Sequence, residues 1–222
     1  MKSIIKLVAA VAVISFTAVG AKAQTKFSEG KIVYTITMTD NDMDPQMASM
    51  MPKEMTMSSK GDMSRVDMVT GMGNVVTIFD RKAKVGTTLM DMMGKKTAIK
   101  MTEEDMKKEH DKNKTTIKYL NDTKVICGYT CHNAEVTTEG TKDKNIVWYT
   151  KDITSSNPSA WRSGLGDIDG FLMEYNVSQR GMGMKMTAKS ITPGTIDDSI
   201  FKIPDGYTEM TPEQMKAMRG GH

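Results

Sequence analysis

Apolar and polar positions alternate along most of this chain. KIVYTITMT, residues 31 to 39, puts Ile32, Tyr34, Ile36 and Met38 on one side of an extended segment. NVVTIFD (74 to 80), KVGTTLMDM (84 to 92), TTIKYL (115 to 120), NIVWYT (145 to 150), GFLMEYNV (170 to 177) and MKMTAKSI (184 to 191) read similarly. A two-residue period in Val, Ile, Thr and Tyr predicts strands with one buried face. Gly61-Asp62, Gly71, Gly94-Lys95, Asn121-Asp122, Gly140 and Pro193-Gly194 break the pattern and predict hairpin connections. Helical signals are few. Asp44-Pro45 opens a segment that Pro52 ends, with Met47, Met50 and Met51 on one face. Thr102 caps a second helix over EEDMKKEHD, and Thr211-Pro212-Glu213-Gln214 opens a third towards Gly220. The pattern predicts a mainly β fold, a twisted antiparallel sheet with a few short helices.

The first residues belong to another category. Lys2 and Lys6 precede an apolar run from Leu7 to Val19, and Ala21-Lys22-Ala23 is a small-x-small cleavage site. This reads as a secretory signal peptide cut after Ala23, too short to span a bilayer comfortably. The expected organisation is a signal peptide at 1–23, one β-rich domain at 24–209 and a C-terminal helix and tail at 210–222. Cleavage places the protein in the periplasm or outside the cell, not spanning the membrane. It also removes Lys2, Lys6 and Lys22, so a formal charge of +3 falls to zero. A neutral chain has no global field to gather nucleic acid, so that class of partner is set aside.

Methionine is the compositional anomaly. The chain carries 23, six of them within MDPQMASMMPKEMTM at 43 to 57, while the mature part has only four leucines: Leu89, Leu120, Leu165 and Leu172. Methionine in place of leucine in the core is the first reading, since the side chain fills irregular gaps. A second is an apolar, lipid-like ligand held by Met47, Met50 and Met51 as a lid and by Met182, Met184 and Met186 on a curved sheet. A third is Cu(I) or Ag(I) bound by thioethers, which are soft ligands. Met55/Met57, Met90/Met92 and Met182/Met184/Met186 have the M-x-M spacing that puts sulfurs on one strand face about 6.7 Å apart.

The two cysteines lie in VICGYTCHNAEV, residues 125 to 136. Fully extended, Cys127 and Cys131 stand about 13 Å apart, too far for a disulfide. A bend at Gly128-Tyr129 would bring them together, and two buried thiols are the other reading. DNDMD at 40 to 44 fails as a calcium loop, with Pro45 where glycine belongs and Met51 where glutamate belongs. Three histidines in no recognisable constellation leave little for general base chemistry, so the expectation is a protein without an enzymatic activity or a cofactor.

Lys124, Ile126, Gly128, Tyr129, Cys131 and Ala134 form K-x-I-x-G-Y-x-C-x-x-A. VWYTKDI (147 to 153), GLGDIDGFLMEY (164 to 175) and DSIFKIPDGYTEMT (198 to 211) follow in order. This order resembles domain-of-unknown-function family 4412, secreted proteins of Bacteroidetes-type bacteria, and is similar to GLPGLI-motif proteins around Gly164 to Glu174. The resemblance implies no activity. It implies a half-barrel similar to periplasmic lipoprotein carriers, a curved antiparallel sheet around helices. The expected role, read from the residues, is to hold an apolar ligand or to act as a structural envelope component through contact with an envelope protein.

Overall fold

The computed structural model describes residues 25–39, 43–112, 114–139, 144–155, 165, 167–179 and 182–219. The segment read as a signal peptide, Asp40 and Asp42, the Gly140 turn, Trp161, Gly164, Gly166, Gly220 and His222 lie outside these residues. The strands are β1 Thr25–Phe27, β2 Glu29–Met38, β3 Glu54–Lys60, β4 Met63–Thr70, β5 Gly73–Asp80, β6 Val85–Met92 and β7 Lys95–Met101. They continue with β8 Thr115–Ile126, β9 Tyr129–Thr138, β10 Lys144–Thr150, β11 Ile153–Ser155, β12 Phe171–Gln179, β13 Met182–Pro193 and β14 Thr208–Met210. Helices α1 (Pro45–Met50), α2 (Glu103–Lys112) and α3 (Pro212–Arg219) are all short.

Twelve strands form one large twisted open sheet in the order β14-β7-β6-β5-β4-β3-β2-β13-β12-β10-β9-β8. Every neighbouring pair is antiparallel except β14 with β7. β1 and β11 make a small parallel pair beside it. The fold is the mainly β, twisted antiparallel sheet that the alternation predicts. On β2, Ile32, Tyr34 and Ile36 are buried while Lys31, Thr35 and Thr37 are exposed, as the pleat requires.

All three helices begin where their caps place them. Asp44 Oδ1 accepts from the backbone N–H groups of Gln46 (2.8 Å) and Met47 (3.3 Å) at the start of α1. Thr102 and Asp105 cap α2 reciprocally, and Thr211 and Gln214 do the same for α3. α2 packs at the β6–β7 edge and α3 beside β7, and none of α1 is buried.

Two apolar clusters stabilise the sheet, and they lie on opposite faces. The larger joins Ile32, Tyr34, Ile36, Met55, Met57, Met184 and Met186 with residues of β9, β10 and β12. The smaller buries Val76, Ile78, Leu89 and Ala98 under Phe201, with Ile196, Ile200 and Tyr207 against it. Register shows the switch. Met68 on β4 pairs with Met55 and with Val75, so Val76 and Ile78 turn the other way. The segment after β13 supplies their cover. Lys60 Nζ donates to Ile196 O at 3.0 Å and Arg65 Nη1 donates to Ile200 O at 2.6 Å, tying it across β3 and β4.

One predicted turn is misplaced. Asn121 and Asp122 lie inside β8, at a bulge between Tyr119 and Thr123. The polar pair is satisfied there: the Asp122 N–H donates to Asn133 Oδ1 (3.2 Å), and Asn133 Nδ2 donates to Asp122 Oδ2 (3.0 Å). The chain reverses later, at Cys127-Gly128, where both residues have positive φ (51° and 77°) and Ile126 pairs with Tyr129. Two successive left-handed residues are the requirement of a type I′ hairpin.

Candidate functional site

Residues directly opposed on neighbouring strands share a face. The pairings give one continuous row across seven strands: Ala188, Tyr34, Met55, Met68, Val75, Met90 and Thr97. A second row beside it runs Ile32, Met57, Val66, Thr77, Thr88 and Ile99. Neither row holds a charged residue.

Burial changes along these rows. On β13, β2 and β3 the members are buried, and on β4, β5 and β6 the members Met68, Val75, Met90, Val66, Thr77 and Thr88 are only half-buried. The result is a strip of thioether, methyl and hydroxyl surface spanning about 10 Å from β4 to β6, beyond which Thr97 on β7 is buried again. Its inner end is fixed by Tyr34, whose hydroxyl donates to Leu172 O at 2.8 Å and whose ring meets Tyr175 edge-on at 5.8 Å. Burial drives the Tyr34 and Tyr175 phenols upward, so both stay neutral. The strip can bind apolar surface, and its threonines can hydrogen-bond a polar end group.

The sequence-predicted residues fall into three groups. Met55, Met57, Met184 and Met186 are buried in the larger core. Met90, Met92 and Met182 are half-buried, and only Met90 belongs to the strip described above. Met47 and Met50 lie on α1, and Met51 follows it. α1 has no buried residue, and Met50 lies against Gly71 at the β4–β5 turn, with Gly71 N–H donating to Met50 O at 2.9 Å. The strand-borne M-x-M pairs sit on separate strands, with Met68 opposite Met55 and Met38 opposite Met184 as their neighbouring sulfurs. β2 separates β3 from β13, while β4 and β5 separate β3 from β6. Among the described residues no three His, Cys, Asp or Glu side chains converge on a point.

The cysteines follow the unbridged alternative, with Cys127 exposed and Cys131 buried. Cys127 and Cys131 are both free thiols. The hairpin sends Cys131 back along β9 opposite Lys124, while Cys127 stays at the tip. Cys127 Sγ donates to Ala188 O at 3.1 Å and Cys131 Sγ to Tyr129 O at 3.5 Å. Burial pushes the Cys131 thiol up to about 11 and raises the Cys127 thiol as well.

Two features had no signal in the sequence reading. A cleft of about 280 Å³ opens on the opposite face, between Met63, Ile78, Ala98 and Phe201, with Lys100 and Glu209 on its wall. A polar cluster gathers Lys124, Trp148, Glu174 and Lys185. Glu174 Oε1 is 2.8 Å from Lys124 Nζ and 3.2 Å from Lys185 Nζ, and Lys124 Nζ is 4.2 Å from the Trp148 ring centroid. Burial works against the Glu174 charge, but the two lysines outweigh it and hold the carboxyl below its ordinary value.

No protein-family model matches the chain, and no curated protein matches it. Among solved structures, PNGF-II in two crystal forms superposes with a TM-score of 0.52 at 15% and 17% identity over 86% of this chain. The chain spans about a third of PNGF-II (33% and 32%), and the likeness is one of fold. LprF from Mycobacterium bovis superposes more loosely, with a TM-score of 0.32 at 8% identity over 76% of this chain and 88% of LprF. Among the described residues no helix is long and apolar enough to cross a membrane.

Proposed function

We propose that this protein is a non-enzymatic binder of an apolar, lipid-like ligand, acting outside the cytoplasm once residues 1–23 are removed. The observation that carries the reading is the row Tyr34, Met55, Met68, Val75, Met90: apolar throughout, buried on β2 and β3 and half-open from β4 to β6. Pockets that accept varied apolar ligands pair flexible side chains with few fixed polar groups, and Met68 and Met90 with Thr77 and Thr88 fit that description. The resemblance to family 4412 is consistent with this role and adds no activity.

Titration with a fluorescent fatty acid tests it. Saturable binding is expected. Met68→Lys and Met90→Lys, at half-buried positions that let the lysine head reach water, should weaken it at least tenfold. Absence of binding by the wild type, or equal binding by both variants, removes the reading.

A further inference from the structure

The core reading explains buried methionine and leaves exposed methionine unexplained. Met47, Met50, Met72 and Met93 are 52%, 37%, 51% and 94% exposed. They come from three separate stretches of sequence, yet the fold brings them to one end of the sheet. Met72 and Met93 extend the β5–β6 register one step beyond Gly73–Met92, and Met93 N–H donates to Met72 O at 3.3 Å. Gly71, next to Met72, receives Met50: its N–H donates to Met50 O at 2.9 Å, and a Cβ there would come within 3.2 Å of Met50 Cγ. Met47 lies one turn before Met50 on α1, on the same helix side.

Met93 is the least expected of the four. It holds φ at +52° at the tip of a turn whose next residue is Gly94. After glycine, asparagine and aspartate take this conformation at least cost. Methionine bears backbone strain there and also gives its thioether to water. Strain and exposed apolar surface coinciding on one residue point to a use for the side chain.

We propose that Met50, Met72 and Met93, with Met47 as a fourth donor, form a surface site for a soft d10 cation, Cu(I) or Ag(I). Thioether sulfur selects such ions over Zn(II) or Mg(II), which prefer imidazole, thiolate or oxygen. Three rotatable bonds per side chain let sulfurs from three neighbouring backbone positions turn inward onto one ion. No sulfur is oxidised and no proton leaves, since a thioether binds as a neutral donor. The site is distinct from the apolar strip: Met68 and Met90 are not among its ligands, and it stands or falls without fatty-acid binding.

The test is a titration of the full chain with Ag(I) in chloride-free buffer, followed by the methionine methyl signals in carbon-proton NMR. Shifts confined to Met47, Met50, Met72 and Met93 at one equivalent are expected, with Met55, Met57, Met184 and Met186 unmoved and no response to Zn(II). Leucine keeps the apolar surface and removes the sulfur, so M50L/M72L/M93L should bind Ag(I) at least tenfold more weakly. The single M93L, at a fully solvated tip, gives the same direction if the triple variant folds poorly. Affinity unchanged in M93L, or equal shifts at the half-buried Met68, Met90, Met92 and Met182, overturns the site.

Discussion

Lys124 on β8 reaches Glu174 on β12, Nζ to Oε1 at 2.8 Å, passing over β9 and β10 and across the Trp148 ring. The contact ties the edge strand to the middle of the sheet. Its strength depends on the Glu174 charge, and the folded carboxyl titrates below its ordinary value. An unfolded glutamate titrates near 4.3. The contribution to stability is therefore complete above about pH 4.3 and is lost as pH falls through the lower folded value. Glu174→Gln should cost about 1 kcal/mol at pH 7, discounted for partial exposure. It should also flatten the loss of stability below pH 4.3 in urea unfolding curves. An acid limb as steep as the wild type's would show that other carboxylates govern it.

The cysteines give a second prediction. The folded Cys131 thiol, pushed up to about 11, holds its proton where an unfolded thiol, near 8.5, has lost it. Stability from this group is present below about pH 8.5 and falls as pH rises towards 11. Cys131→Ala should remove that alkaline decline from denaturant midpoints measured between pH 8 and 11. Iodoacetamide should label Cys127 before Cys131 in the native protein, and the intact mass should lack the loss of two hydrogens that a bridge would give.

Methionine as a leucine substitute is directly testable at Met57, buried between Ile32 and Val66. Met57→Leu nearly conserves volume and should change stability by less than about 1.5 kcal/mol. Met57→Ala opens a cavity and should cost about 2–5 kcal/mol. Thermal unfolding of the pair separates a packing role from a chemical one, because a sulfur-specific role would make the leucine variant fail as well.

Gly73 opens β5 with φ at +144°, and a Cβ on it would lie 1.9 Å from the Asp91 carbonyl oxygen. Gly73→Ala should therefore destabilise by well over about 1 kcal/mol. It should also disturb the register of β5 on β6, visible as lost amide protection from Asn74 to Asp80 in hydrogen exchange.

How much was legible depended on what faced inward. Strands with Val, Ile and Tyr at alternate positions, such as β2 and β10, showed their period, and the capping residues Asp44, Thr102 and Thr211 marked all three helices. β3, β4 and β7 did not. Their sequences EMTMSSK, MSRVDMVT and KKTAIKM carry methionine, serine and lysine where β-branched residues usually signal a strand. The hairpin at Cys127-Gly128 was hidden because Asn121-Asp122 looked like the better turn, and only the cross-strand partner Asn133 makes that pair tolerable inside β8. The methionine rows depended on the same missing strands. Met55 and Met90 can be seen to share a face only after β4 and β5 are set between them, and Met50, Met72 and Met93 become neighbours only through three separate turns.

β14 has three residues, yet it lies along β7 from Thr97 to Ile99 and completes that side of the sheet. An unprotected β7 would offer a row of unpaired amides and carbonyls to any extended segment, including the β7 of another copy. Cleavage after Lys202 would leave the sheet nearly whole and its outline open. The expected change is in the company the molecule keeps: light scattering that grows with protein concentration and time, from material whose monomer still gives a β-sheet circular dichroism spectrum. On that account the short final strand sets how long a concentrated solution of this protein stays clear.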